Sequence, residues 1–92
     1  MDYSTIPEHC QEGVRAYFEE GRPIGGFLTA IFENDLVGAI RQADDVNIGR
    51  LVDYVSFLYN QMPARPVAWG TKRSVELWIS VGGQAGYAKG GA

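Results

Sequence analysis

Residues 21–36 read GRPIGGFLTAIFENDL, and this stretch decides how the first half of the chain folds. A glycine-rich turn around Pro23 leads into apolar residues at helical spacing. Such a turn is either the corner between two helices or a cradle of backbone amides for an anion. Gly21 suits the left-handed end of a preceding helix, and Pro23 prevents that helix from continuing, so the corner is the favoured interpretation.

The anion cradle is kept as the alternative for residues 21–28. It would consist of Arg22, Gly25 and Gly26, because amides at a helix start and a nearby guanidinium attract phosphate. No Walker lysine follows the glycines and no strand pattern precedes them, so neither the phosphate-loop nor the dinucleotide fingerprint is present. A nucleotide ligand at this turn therefore stands as the second hypothesis.

Apolar residues at helical spacing also precede the turn and predict a first helix over about 6–20. Thr5 and Glu8 have the spacing of a capping box, in which each side chain accepts a hydrogen bond from the backbone amide of the other residue. The predicted core face of this helix consists of Cys10, Val14, Tyr17 and Phe18.

The stretch after the turn continues either as one kinked helix or as two segments, because Asn34 and Asp35 interrupt the apolar pattern. In the two-segment form, Asn34 caps the second helix. The predicted core face before the interruption consists of Phe27, Leu28, Ile31 and Phe32. After the interruption, the same face continues with Leu36, Val37, Ile40 and Ala43.

A third helix, capped by Asp44 or Asp45, carries a nearly unbroken apolar stripe. Pro63 and Pro66 end this helix, because proline cannot donate the next backbone hydrogen bond. Its predicted core face consists of Ile48, Leu51, Val52, Val55, Leu58, Tyr59 and Met62.

A last helix starts at Thr71 as its cap and ends at Gly82 and Gly83. Its predicted core face consists of Val75, Trp78 and Ile79. The pattern as a whole predicts an all-α fold, with four to five short helices packed around one core. We expect residues 1–82 to form a single helical domain and the glycine-rich residues 83–92 to form a flexible tail.

The charge of the chain limits its partners. The 92 residues carry a formal charge of −3, from 11 acidic and 8 basic side chains. This balance argues against direct binding of nucleic acid or of an anionic membrane, and it suits a basic protein surface as partner. Cys10 is the one cysteine, so no internal disulfide forms. The first residues lack a signal-peptide pattern and no apolar run is long enough to span a bilayer, so we expect a cytoplasmic protein.

Enzymatic chemistry is not expected from these residues. His9 and Cys10 are neighbours on a helix, where side chains point about 100° apart, so they do not form a nucleophile–base pair. His9 and Glu12 supply two metal ligands, and no further histidine or cysteine elsewhere in the chain completes a transition-metal site. We therefore predict no catalytic residue, no metal and no cofactor.

A partner-binding surface is the best remaining hypothesis. Tyr54 and Phe57 lie off the apolar stripe of the third helix, and exposed aromatic side chains there would mark a contact with a partner protein or a second subunit. Acidic residues would rim this surface. The predicted partner-binding set is Glu33, Asp35, Asp44, Asp45, Asp53, Tyr54 and Phe57.

The order of motifs resembles a group of small phage and prophage proteins that have no agreed activity. The shared pattern covers about residues 5–80 and runs from Ile-Pro-x-His through Gly-x-Pro-x-Gly-x-Phe-Leu and Asn-Asp-Leu to a late Trp-Gly-Thr step. Members commonly have a shorter link before the Trp-Gly step than PARPVA. The matching positions are Ile6, Pro7, His9, Tyr17, Gly21, Pro23, Gly25, Phe27, Leu28, Asn34, Asp35, Leu36, Ala43, Asp44, Trp69, Gly70 and Thr71.

The resemblance implies a phage accessory protein that acts inside a bacterial host. The first functional hypothesis is a non-enzymatic inhibitor, similar to an anti-CRISPR protein, that binds a host defence protein or complex through its acidic and aromatic surface. The alternative hypothesis is an oligomeric sponge that binds a nucleotide immune signal at residues 21–28. A homo-oligomer is compatible with both hypotheses.

Overall fold

The computed structural model describes residues 2–61 and 68–88, and all regular structure in these ranges is helical, as predicted. The described residues form seven helices rather than four or five, because the predicted third helix is divided in two and an additional helix follows Gly82. The helices are α1 (Glu8–Glu20), α2 (Gly26–Phe32), α3 (Leu36–Gln42), α4 (Asp45–Ile48), α5 (Leu51–Gln61), α6 (Lys72–Val81) and α7 (Gly83–Ala88).

Helix α1 ends as predicted but begins differently. Its N-cap is Pro7, and no side chain caps it, so the predicted capping box between Thr5 and Glu8 is wrong. The carbonyl of Thr5 instead accepts a hydrogen bond from the Arg50 guanidinium at 3.0 Å. At the other end, Gly21 takes the left-handed conformation (φ 70°) and donates its amide to the carbonyl of Tyr17.

The interruption at residues 34 and 35 separates two helices. Asn34 has a φ of 64°, which turns the chain sharply between α2 and α3. Asp35 is the cap, because its carboxylate accepts the Gly38 amide at 2.9 Å. The two-segment form is therefore confirmed, with Asp35 rather than Asn34 as the capping residue.

Aromatic side chains from three helices form the centre of the core. The rings of Tyr17, Phe18 and Phe32 lie within 5.0 Å of one another by centroid, and all three side chains are buried. The Tyr17 hydroxyl donates to the carbonyl of Ala68 at 2.6 Å, and the Trp78 indole donates to the carbonyl of Tyr17 at 3.1 Å. These two hydrogen bonds satisfy the polar atoms of buried aromatic residues and fix α6 against α1.

Helical structure extends beyond the predicted boundary at residue 82. Gly82 ends α6 in the left-handed conformation, as expected, but Gly83–Ala88 then forms α7 against α1. Gly83 is buried beside Gly21, and Tyr87 lies 5.7 Å from Trp78 by ring centroid. The predicted flexible tail is thus corrected for residues 83–88, while residues 89–92 lie outside the described ranges. The predicted helix end at Met62, Pro63 and Pro66 also lies outside them.

Candidate protein-docking surface

Helix α5 faces the core with a different set of residues from the predicted one. Tyr54 and Phe57 are buried, so their prediction as partner-binding residues is wrong. The Phe57 ring lies 5.8 Å from Phe18, and the Tyr54 ring lies 5.2 Å from Phe27 in an edge-to-face arrangement. Aromatic rings bury more apolar area than valine side chains do, so α5 is more stable with its rings turned inward.

The predicted stripe of α5 is consequently exposed over most of its length. Val52 is 76% exposed, Val55 is 59% exposed and Tyr59 is 78% exposed, and Ile48 on α4 is also exposed. Leu58 is buried and Leu51 is half-buried. The buried residues of α5 and its exposed residues each have helical spacing. Because Tyr54 and Phe57 take the core side, the exposed residues form an apolar surface on the outside of the helix.

Helix α3 likewise exposes the apolar side chains that were predicted to be buried. Leu36 and Val37 are each 67% exposed and Ile40 is also exposed, which overturns their prediction as core residues. The one buried side chain of α3 is Ala39, whose small size lets the helix lie close to its neighbours. The exposed apolar side chains of α3 and α5 form what we term the α3–α5 face: Leu36, Val37, Ile40, Val52, Val55 and Tyr59.

A groove of about 150 Å³ lies between the two helices of this face. Its base is made by buried side chains, Ala39 of α3 and Leu58 of α5, and its rim by Leu36, Val55 and Tyr59. These residues are all apolar or aromatic, which is typical of the centre of a protein–protein contact.

Two further features mark the margin of the groove. Trp69 contributes to its lining, and the indole nitrogen of Trp69 is buried without a hydrogen-bond partner among the described residues. Asn34 and Asp35 line one end. The groove is therefore apolar at its centre and carries one carboxylate at its edge.

The five predicted acidic residues do not form one surface. Asp35 lines the groove, and Glu33 is half-buried two residues earlier. Asp44 and Asp53 are each paired with a basic side chain: His9 Nε2 lies 3.0 Å from the Asp44 carboxylate, and Arg50 pairs with Asp53. Asp45 is exposed in the first turn of α4.

Capping accounts for the position of Asp44. Its carboxylate accepts the Asn47 amide at 2.7 Å, as predicted for a helix cap. This hydrogen bond, with the nearby His9, lowers the pKa of the Asp44 carboxyl below its usual value. Asp35 and Asp44 thus both stabilise helix starts, and Asp35 is the one that also borders the groove.

A buried polar cluster lies behind α5, and sequence reasoning did not find its central residue. Asn47 is buried, and its side-chain carbonyl accepts the Tyr54 hydroxyl at 2.6 Å. The Asn47 amide nitrogen lies 3.7 Å from the sulfur of Cys10. Burial raises the pKa of the Tyr54 hydroxyl well above its usual range. Each of these polar groups is satisfied within the cluster, so we assign it a structural role.

The glycine-rich turn is a helix corner in which the alternative site residues have other contacts. The Arg22 guanidinium lies 2.7 Å from the Glu20 carboxylate. A Cβ placed on Gly26 would lie 2.6 Å from the side-chain oxygen of Gln42, so this side chain occupies the space next to Gly26. Gly25 is the N-cap of α2 and has open space beside it. These contacts give no support to an anion site at Arg22 and Gly26.

Comparison with family models, with curated proteins and with solved structures finds no match to this chain. Among residues 2–61 and 68–88, no group of three or more histidine, cysteine, aspartate or glutamate side chains is placed to hold a metal ion. None of the helices in these ranges is long and apolar enough to cross a membrane.

Proposed function

We propose that this chain is a non-enzymatic binding protein that covers a surface of a partner protein with its α3–α5 face. The observation that carries the proposal is an apolar groove with three exposed apolar side chains at its rim, Leu36, Val55 and Tyr59. The other three exposed side chains of the face lie on the same two helices. An apolar groove with exposed apolar side chains at its rim marks a binding site on a small domain.

The strength of such a contact follows from the exposed area. The exposed fractions of the six residues of the face add up to about four fully exposed residues. Full burial of one aliphatic or aromatic side chain contributes roughly 1.5–3 kcal/mol, so the face supplies roughly 6–12 kcal/mol. Association costs about 4–15 kcal/mol in lost motion, so a partner that also buries its own apolar surface gains a net free energy of binding.

Charge at the margin of the groove indicates the kind of partner. Asp35 borders the apolar centre and Glu33 lies close to it in the chain, while the chain as a whole carries −3. A partner that presents an apolar ridge flanked by lysine or arginine is complementary to this arrangement. Such complementarity raises the rate of association and fixes orientation.

The biological role that we propose is inhibition of a bacterial defence component by a phage accessory protein, as anti-CRISPR proteins do. The resemblance of residues 5–80 to small phage proteins and the small size of the chain support this role. The inhibitor would act in the host cytoplasm by occupying a surface that the defence protein needs. The Arg22 and Gly26 contacts give no support to the nucleotide-sponge alternative, which stays a prediction.

Phage plating on bacteria that each carry one defined defence system, CRISPR–Cas included, tests the proposal. Expression of the wild-type chain is expected to raise the plating of a restricted phage on at least one strain. Val55→Glu is expected to remove this effect, because a charge buried without a partner weakens binding by about 2–5 kcal/mol. Leu77→Glu on α6 is the matched control, since Leu77 is exposed outside the face.

Asp35→Asn tests the contribution of the acidic margin without damaging α3, since asparagine caps helices as well as aspartate does. We expect it to reduce inhibition less than Val55→Glu does. A folded Val55→Glu variant that inhibits as well as the wild type on every strain would contradict the proposed docking face.

A further inference from the structure

We infer that, without its partner, the protein pairs with a second copy of itself through the α3–α5 face, so that the docking surface is covered until a partner displaces the second copy. This inference rests on the proposed function, because it names the regulation of the same surface. The apolar area of the face and its groove support a second copy as the occupant.

Charge on the face permits two identical chains to meet there. The face consists of uncharged side chains, and α3 and α5 together carry one base, Arg41, and one acid, Asp53. Asp53 is paired with Arg50. Two copies with a net charge of −3 each repel one another over most of their surface. Charge repulsion is small at the apolar centre of the α3–α5 face, while Asp35 at one end of the groove adds repulsion between the two copies.

The area of the face fits a weak, reversible pair that a partner can displace. Its side chains expose the equivalent of about four whole side chains. At about 25 cal/mol per Å², the roughly 1.5–3 kcal/mol of one side chain corresponds to about 60–120 Å². The face therefore offers on the order of 240–480 Å² per copy, and the pair buries less than the roughly 1,200 Å² above which interfaces are of standard size.

The face carries both an exposed ring and an apolar groove, the two parts that a two-fold pair can exchange. Tyr59 is exposed and projects at the rim of a groove of about 150 Å³. In a two-fold pair, each contact occurs twice with the roles exchanged. The Tyr59 ring of one copy then enters the groove between Leu36 and Val55 of the second copy, and the reverse contact forms at the same time.

Self-pairing has a consequence for inhibition. A partner that binds the α3–α5 face must compete with the second copy, so its apparent affinity falls in proportion to the fraction of free single copies. The apparent affinity of each copy for the partner is therefore higher when this protein is dilute, because most copies are then single.

Sedimentation velocity of the purified full chain over a series of concentrations tests the inference without any partner. The wild type is expected to shift from one to two copies as concentration rises. Tyr59→Glu and Val55→Glu are each expected to raise the dissociation constant of the pair at least about thirtyfold, because each introduces an unpaired charge on both sides of the interface. Leu77→Glu on α6 is expected to pair like the wild type.

Circular dichroism establishes that each variant remains helical. Tyr59→Phe is a second variant that keeps the ring and the fold, and it is expected to pair. A wild type that sediments as a single copy at every concentration would overturn the inference, and so would a Leu77→Glu variant that dissociates as Val55→Glu does.

Failure of the inference is distinguishable from failure of the proposed function. If the wild type is a single copy while Val55→Glu abolishes inhibition, self-pairing is wrong and the docking face stands. If the wild type pairs and Val55→Glu dissociates it without loss of inhibition, the pairing stands and the docking face is wrong.

Discussion

Replacement of Phe57 by alanine is expected to lower the free energy of unfolding by about 3–5 kcal/mol, the usual range for a buried phenylalanine. Phe57 is buried, and its ring contacts Phe18 at 5.8 Å and Tyr3 at 5.6 Å by centroid. Removal of the ring leaves a cavity between α5, α1 and the N-terminal segment. Since domains of this size are stable by about 5–15 kcal/mol, we expect a large fall in the denaturant midpoint, measured by far-ultraviolet circular dichroism.

Val55→Ala is the matched control for this experiment, because Val55 lies on the same helix with most of its side chain exposed. Its expected change is within about 0.5 kcal/mol. The opposite ranking, with Val55→Ala the more damaging change, would mean that α5 faces the core with the stripe that sequence periodicity suggested.

Gly21→Ala is expected to be the second most damaging change, with a loss of about 2–5 kcal/mol. Gly21 has a φ of 70°, and an L-residue in this left-handed conformation costs about 1–2 kcal/mol. A Cβ at this position would also lie 2.6 Å from the carbonyl carbon of Gly82, and this overpacking adds about 1–3 kcal/mol. The measured quantity is again the free energy of unfolding from a denaturant titration.

Gly25→Ala, four residues later in the same turn, separates this effect from a general requirement for glycine. Gly25 has a φ of −66° and open space beside it, so the expected change is within about 1 kcal/mol. Equal losses at both positions would show that Gly21 does not hold α1 against the start of α7.

Helix ends were the part of the fold that could be predicted best from the sequence. Asp44 and Thr71 cap their helices, and Gly21 and Gly82 end theirs, because each of these signals acts within three or four residues. The failed capping box at Thr5 has a local cause as well. The rigid Pro7 takes the N-cap position itself, and the Thr5 side chain then lies too early in the chain.

The inward face of α5 could not be predicted from spacing. Tyr54 and Phe57 have helical spacing, as Val52 and Val55 do, so the choice depends on which side chains meet complementary partners. Tyr54 contacts both the Phe27 ring and the side-chain carbonyl of Asn47, and both partners lie on other helices, so the spacing of residues within α5 does not reveal them. Tertiary contacts therefore decide the rotation of α5 about its axis.

The candidate site was missed for the same reason. Leu36 and Val55 were interpreted as core because they are apolar and regularly spaced, and the structure shows them on either side of an open groove. Exposed apolar residues and core residues look alike in a sequence. Of the predicted site residues, Asp35 is the one that the structure places in the groove, where it also caps α3.

Site-specific photocrosslinking in phage-infected bacteria identifies which face of this protein contacts its partner. A photoreactive phenylalanine analogue replaces Tyr59 on the face or Leu77 on α6, two positions that are both well exposed. If the α3–α5 face is the contact, we expect an adduct with a host defence protein from position 59 and none from position 77. An adduct with that protein from position 77 alone would contradict this expectation.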